Sequence, residues 1–282
     1  MRAQQPRELH LQLEQAPLFG DTEELYYFYV EVEVGSQRQS QTLIVDTGSH
    51  MTGFPCEPFC TYCGTHLNSR FNSSASSTSE LLSCSQEKEE GRRCSACKDD
   101  QCTYTVSYME GSSYRGIFLR DQVIFGTGSE GAPQSSSPVL FQFGCHRTET
   151  NLFYTQKADG IMGLGKPNSY EPVSLPTAAF QQGVVDRHLF ALCLGHNGGF
   201  FSIGGFNSSS LQQQPVFLNY SGGSLYMLQL TQIELWDTEI SADYYAIVDS
   251  GTTLVQMPEK PFNSLKSALQ DFCELSPDFC QG

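Results

Sequence analysis

Short runs of alternating apolar and polar residues dominate this chain, and they predict strands. Residues 25–34, LYYFYVEVEV, alternate toward their end and read as one strand, with Gly35-Ser36 as the turn. Residues 41–45, QTLIV, read as the next, running straight into Asp46-Thr47-Gly48-Ser49. Residues 102–125 return to strand-like alternation around a hairpin tip at Gly111-Ser112-Ser113, and 138–145, PVLFQFGC, form another strand. Gly/Ser-rich residues 127–137 read as a loop. Residues 189–206 read as a hairpin pair, and 225–235 and 244–248 as further strands. The helical signals are brief: a short helix near 176–183, and one over 259–272 opened by Pro258. The pattern therefore predicts a mainly β protein. The stretch 166–188 is the natural link between an N-terminal lobe, 1–185, and a C-terminal lobe, 186–282.

One internal echo organises the chain. LIVDTGS at 43–49 and AIVDSGTT at 246–253 share a layout of apolar strand, Asp, hydroxyl residue, Gly, hydroxyl residue. A single Asp-hydroxyl-Gly sequence is an ordinary turn. Two copies, each ending an apolar strand and one in each half, point to two related lobes that each present a carboxylate. Two carboxylates a few ångströms apart resist double ionisation, so one pKa rises and the other falls. Such a pair holds one proton and can activate a water while protonating a leaving group. Gly48 and Gly251 permit a tight turn and close backbone approach. The hydroxyls of Thr47 and Ser250 can bond across the two halves, and those of Ser49 and Thr252 can donate to the outer carboxylate oxygens.

Composition narrows the setting. The 282 residues carry 31 Asp and Glu against 16 Lys and Arg, a net charge of −15. That surface repels nucleic acid and anionic membrane, and it serves either solubility or an acidic compartment. Eleven cysteines are present, with seven crowded into the polar, Ser-rich tract 56–102 and an eighth at Cys145. That tract reads as a disulfide-stapled insertion with little regular structure, placed in an oxidising compartment. Sequons at Asn72, Asn207 and Asn219 fit the same setting. Cys60-x2-Cys63 and Cys94-x2-Cys97 also match the spacing of a four-thiolate zinc site. The three further cysteines among them favour disulfides, but spacing does not fix the pairing. Cys193, Cys273 and Cys280 leave an odd thiol in the second half. Neither a secretory leader nor a run of about 18 apolar residues is visible. Secretory-pathway disulfides then imply a targeting segment upstream of these residues.

VDTGS at 45–49, SYMEGSSYRG at 107–116, DGIMGLG at 159–165 and IVDSGTT at 247–253 together resemble the pepsin-like aspartic peptidases over nearly the whole chain. FPCEPFCTYCGTHLNSRFN at 54–72 and the Cys-rich tract are most similar to the plasmepsin V-like group. The resemblance implies a bilobal acid-protease fold and a monomeric endopeptidase acting on peptide or protein, with no cofactor and no metal. It implies that Asp46 and Asp249 are the catalytic pair, Tyr108 the flap tyrosine and Gly111 the flap-tip glycine. Ile161-Met162-Gly163 would buttress the first Asp loop, and Glu110 would meet a basic substrate side chain. No counterpart of IMG follows Asp249, so the second lobe is expected to be C-terminally incomplete and the second Asp loop less well backed. A catalytically silent peptide-binding homologue is the alternative function, and a single-lobe enzyme completed by dimerisation is disfavoured by two motifs in one chain.

Overall fold

Strand Tyr27–Val34 buries every second residue, Phe28, Val30, Val32 and Val34, which is the period of a strand with one face on a core. The computed structural model describes residues 14–89, 94–125, 137–166, 172–207, 211–220, 223–236, 238–276 and 280. In chain order its strands are β1 (Glu14–Asp21), β2 (Tyr27–Val34), β3 (Gln39–Asp46), β4 (Gly53–Glu57), β5 (Phe71–Asn72), β6 (Glu80–Leu81), β7 (Ala96–Lys98), β8 (Gln101–Ser107), β9 (Ser113–Phe125), β10 (Val139–Thr150), β11 (Gly160–Gly163), β12 (Phe190–Gly195), β13 (Gly198–Ile203), β14 (Met227–Leu235) and β15 (Thr238–Ile247). The helices are α1 (Cys84–Glu89), α2 (Leu152–Thr155), α3 (Leu175–Gln181) and α4 (Glu259–Leu275).

The protein is mainly β, as the alternation predicts. Thirteen strands share one mixed sheet, in the order β12-β13-β1-β2-β3-β11-β4-β10-β9-β8-β7, with β5 and β6 attached at its side. β3 lies between β2 and β11 and is buried continuously from Gln41 to Asp46. A strand covered on both faces loses the polar alternation. The core beneath it gathers Val30, Val45, Phe54, Phe71, Phe143 and Met162. Phe54 and Phe143 stack at 4.6 Å, and Phe71 meets both rings edge-on.

Two features differ from the sequence pattern. β1 was not visible as a strand, since EQAPLFGD has no clean alternation and contains Pro17. It forms because β2 and β13 supply partners on both sides. Through it the β12–β13 hairpin joins the large sheet. The Cys-rich tract is also less irregular than its composition suggests. It contributes short elements from β4 to β7, and two of its apolar residues, Phe71 and Leu82, are fully buried. The expected loop at 127–137 lies almost wholly outside the described residues. Among the described residues β14 and β15 pair only with each other, and little of their surface is buried beyond Ile240 and Ala242. Among the described residues no helix is long and apolar enough to cross a membrane.

Five disulfides form: Cys56–Cys145, Cys60–Cys63, Cys84–Cys97, Cys94–Cys102 and Cys273–Cys280. Cys193 is the free thiol. The four cysteines with zinc spacing are thus all consumed in S–S bonds, two of them with each other. Cys84, Cys94 and Cys97 do cluster, but as neighbouring halves of two disulfides. Cys56–Cys145 closes a separation of 89 residues and ties β4 to β10 across the parallel pairing of those strands. Constraining a loop of that length in the unfolded chain is worth about 4 kcal/mol. The double variant Cys56→Ala/Cys145→Ala should lose about that much in denaturant unfolding, whereas a loss under about 1 kcal/mol would contradict this role.

Candidate active site

β3 carries Asp46 to its C-terminal end, and the chain then turns through Thr47-Gly48-Ser49. β15 does the same for Asp249, which follows its last residue, Ile247, by two positions. The two loops grip each other. Thr47 N–H donates to Ser250 Oγ at 3.1 Å, and Ser250 N–H donates to Thr47 Oγ1 at 2.9 Å. Each hydroxyl then donates across to a backbone carbonyl: Thr47 Oγ1 to Val248 O at 2.7 Å, and Ser250 Oγ to Val45 O at 2.7 Å. The four bonds are related by an approximate twofold, as the sequence echo would require.

This grip brings each carboxyl group up against the glycine of the opposite loop, close enough for the two to act on each other. Within each loop the partners repeat. Gly48 N–H donates to Asp46 Oδ1 at 2.9 Å, and Ser49 Oγ donates to Asp46 Oδ2. Gly251 N–H donates to Asp249 Oδ1 at 2.8 Å, and Thr252 Oγ1 donates to Asp249 Oδ2 at 2.6 Å. The glycines serve the opposite loop rather than their own turn. A Cβ on Gly48 would lie 2.3 Å from Asp249 Oδ2, and one on Gly251 would lie 2.4 Å from Asp46 Oδ1. Any side chain at either position would drive the carboxylates apart.

A family model described as Xylanase inhibitor N-terminal matches residues 28–205, more than half of the chain. The chain belongs to the pepsin-like aspartic peptidase family. Aspartic protease 5 of Toxoplasma gondii is 34% identical over 217 residues, which cover 71% of this chain and 22% of that protein. Plasmepsin V of Plasmodium falciparum is 26% identical over 312 residues, covering 91% of this chain and 50% of the relative. Aspartic proteinase 36 of Arabidopsis thaliana is 29% identical over 272 residues, covering 88% and 54%. The chain is plasmepsin V-like within the family. It spans about half the length of these relatives, or less.

The environments of the two acids are unequal for this pepsin-like pair. Asp46 is only 3% exposed, whereas Asp249 is half-buried. Behind Asp46, β11 runs parallel to β3 with Gly163 beside Asp46. Leu164 N–H donates to Asp46 O and Gly165 N–H to Ser49 O, both at 2.8 Å. The Ile161-Met162-Gly163 segment therefore lies directly against the first Asp loop. Among the described residues β15 has only β14 as a strand neighbour. Burial, and with it the nearby Asp249 carboxylate, pushes the Asp46 carboxyl up to about 7.

The hairpin expected to form the flap is β8–β9, closed by Tyr108 N–H donating to Ser112 O and Gly111 N–H to Tyr108 O. Gly111 sits at φ 93°, where a side chain would be strained. The Tyr108 hydroxyl donates to Ser49 Oγ at 3.3 Å, directly over the first Asp loop. Burial and then the Asp46 charge raise its pKa. Glu110 is exposed at the tip, beside a fully exposed Met109.

Sequence reasoning did not single out several residues that hold this site. Asp159 is buried and accepts bonds from Thr42 N–H and Oγ1 and from Asn68 N–H and Nδ2, at 2.6–2.8 Å. It thereby pins the start of β11 to β3. A buried trio of His66, His146 and Glu149 lies behind the flap. His146 and Glu149 are three apart, which in a regular strand would put them on opposite faces. A bulge between His146 and Thr148 adds one residue and brings both side chains inward. His146 Nδ1 donates to Glu149 Oε1 at 2.7 Å, and His66 Nε2 donates to Glu149 Oε2 at 3.1 Å. His66 Nδ1 faces Gln156 O at 3.0 Å, so both of its nitrogens meet acceptors and the ring is held as an imidazolium. Burial opposes that charge, but the hydrogen bond and charge of Glu149 outweigh it and raise the His66 pKa. Burial likewise opposes the Glu149 charge, and the two histidines override it, holding the carboxyl down at about 2.

The signs give a pH window. The depressed Glu149 contributes stability above its ordinary 4.5, lost as pH falls toward about 2. The raised His66 contributes below its ordinary 6.5, lost as pH rises through its elevated pKa. The difference in Tm between wild type and His66→Gln should be widest between those two ordinary values, whereas a difference constant from about pH 4 to 9 would contradict the assignment.

Proposed function

We propose that this chain carries the catalytic pair of an aspartic endopeptidase, with Asp46 and Asp249 acting on one water. What supports this is the grip between the Asp loops, which turns two strand-end acids into a facing pair with matching hydrogen-bonding partners. The catalytic roles follow from that geometry. With the Asp46 carboxyl pushed up to about 7, the pair carries one proton through the mildly acid range. The water lies between the carboxyl groups. Its oxygen attacks the peptide carbonyl carbon as its proton passes to the ionised carboxylate. The protonated acid gives its proton to the carbonyl oxygen, forming a tetrahedral diol. Collapse of the diol breaks the C–N bond, and the departing nitrogen takes a proton from the pair. A diol hydroxyl gives its proton to the other carboxylate as the C–N bond breaks, so the pair again holds one proton. Ser49 and Thr252 hold the outer oxygens and keep the carboxyls in one plane around the water.

Tyr108 closes over the substrate and excludes water from it. Glu110, exposed at the flap tip, is the group placed to attract a basic side chain of the substrate. Aspartic protease 5 and Plasmepsin V carry protease names, which supports the peptidase assignment. The disulfides support a secretory-pathway setting. The substrate is a peptide or protein, met by a single chain that supplies both acids.

Peptide hydrolysis at about pH 4–7 tests the proposal. Asp46→Ala and Asp249→Ala should each lower kcat by at least about a thousandfold, as expected when one of two cooperating acids is lost. A statine-type inhibitor should abolish the wild-type rate. Because the raised Asp46 pKa is what keeps the shared proton, kcat/KM should fall as pH rises above about 7. Hydrolysis persisting in either Asp variant would remove the mechanism.

A further inference from the structure

The flap tyrosine does not stand alone over the first Asp loop. Its hydroxyl lies 3.2 Å from the hydroxyl of Tyr114, which is fully buried on β9. The direction of that bond follows from its neighbours. Ser49 donates its only proton to Asp46, so its oxygen accepts from Tyr108. Tyr108 has thereby used its only proton, so its oxygen accepts from Tyr114. Four groups form one directed chain, Tyr114 to Tyr108 to Ser49 to the Asp46 carboxylate. Directed hydroxyl chains polarise in series, and the carboxylate at the end strengthens each bond before it.

Tyr114 is fixed from behind. Its ring stacks on His146 with centroids 4.3 Å apart and planes 18° apart, and Phe153 meets it edge-on at 4.8 Å. Phe153 also packs on Tyr108 at 5.0 Å. His146 is held by Glu149, which is anchored by the His66 imidazolium and by Gly64 N–H at 3.2 Å. Gly53 leaves the room the imidazole needs, since a Cβ there would lie 2.6 Å from His146 Nε2. Tyr114 lies in the flap motif, but the roles read from that motif fall on Tyr108, Glu110 and Gly111; His146 and Glu149 lie outside both motifs.

We propose that Tyr114, clamped by the His66–Glu149–His146 cluster, is a positioning residue that orients the flap tyrosine and, through Ser49, the Asp46 carboxylate. Tyr114 is fully buried and acts through Tyr108. Tyr114→Phe keeps the stack on His146 and removes the first donor of the chain. With one hydrogen bond of this kind lost, kcat/KM should fall about fivefold. Most of that fall should appear in kcat, with Tm unchanged within a few degrees. The deciding comparison is with Tyr108→Phe. If Tyr114 works through Tyr108, the double variant is no worse than Tyr108→Phe alone.

This inference rests on the peptidase reading, so the same four proteins are also titrated with a statine-type inhibitor. Losses that multiply in the double variant, or a Tyr114→Phe enzyme equal to wild type, overturn the positioning role. A wild-type chain that binds inhibitor but cleaves nothing overturns the peptidase reading alone, and the four affinities then decide on Tyr114. A wild-type chain that neither binds nor cleaves overturns both.

Discussion

The structure turns on the reciprocal hydroxyl grip between Thr47 and Ser250. Two acids from strands 203 positions apart in sequence would repel each other if their loops were independent. Four hydrogen bonds, two through each hydroxyl residue, cross-link the loops and oppose that repulsion. Each is worth only about 0.5–1.5 kcal/mol, and together they act against the repulsion between the two carboxyls. Gly48 and Gly251 complete the fit by vacating the volume that the opposite carboxylate fills. Without the grip, the remaining features of the site have nothing to act on.

Support for this pair is asymmetric. Asp46 is backed by β11, whose Leu164 and Gly165 amides bond to the first loop, and the Asp159 cluster anchors that strand. The flap bonds to Ser49 and therefore also belongs to the Asp46 side. Asp249 sits at the end of a two-stranded ribbon and retains more solvent contact. The physical consequence is that burial drives the Asp46 carboxyl upward.

Much of this was legible in the sequence because its signals are local. Period-two alternation marks β2, and an apolar run into Asp-Thr-Gly marks the end of β3. The repeat of that layout at 246–253 told that two lobes each offer an acid. The hydroxyl roles of Thr47, Ser49, Ser250 and Thr252 also follow from their places in the repeat. What escaped is non-local. β1 exists only because β2 and β13 flank it. His66, His146 and Glu149 meet through a bulge that no spacing rule announces. The buried Asp159 gathers Thr42 and Asn68 from separate segments, and the disulfide pairing likewise depends on which strands lie side by side.

The account's central claim is that Asp46 and Asp249 share a single proton. Carbon NMR of the two aspartate Cγ nuclei across about pH 2–9 measures this directly. A shared proton makes both resonances move together in two steps, the upper one near pH 7. Two resonances that titrate independently, each in one step near the ordinary aspartate value, would contradict it.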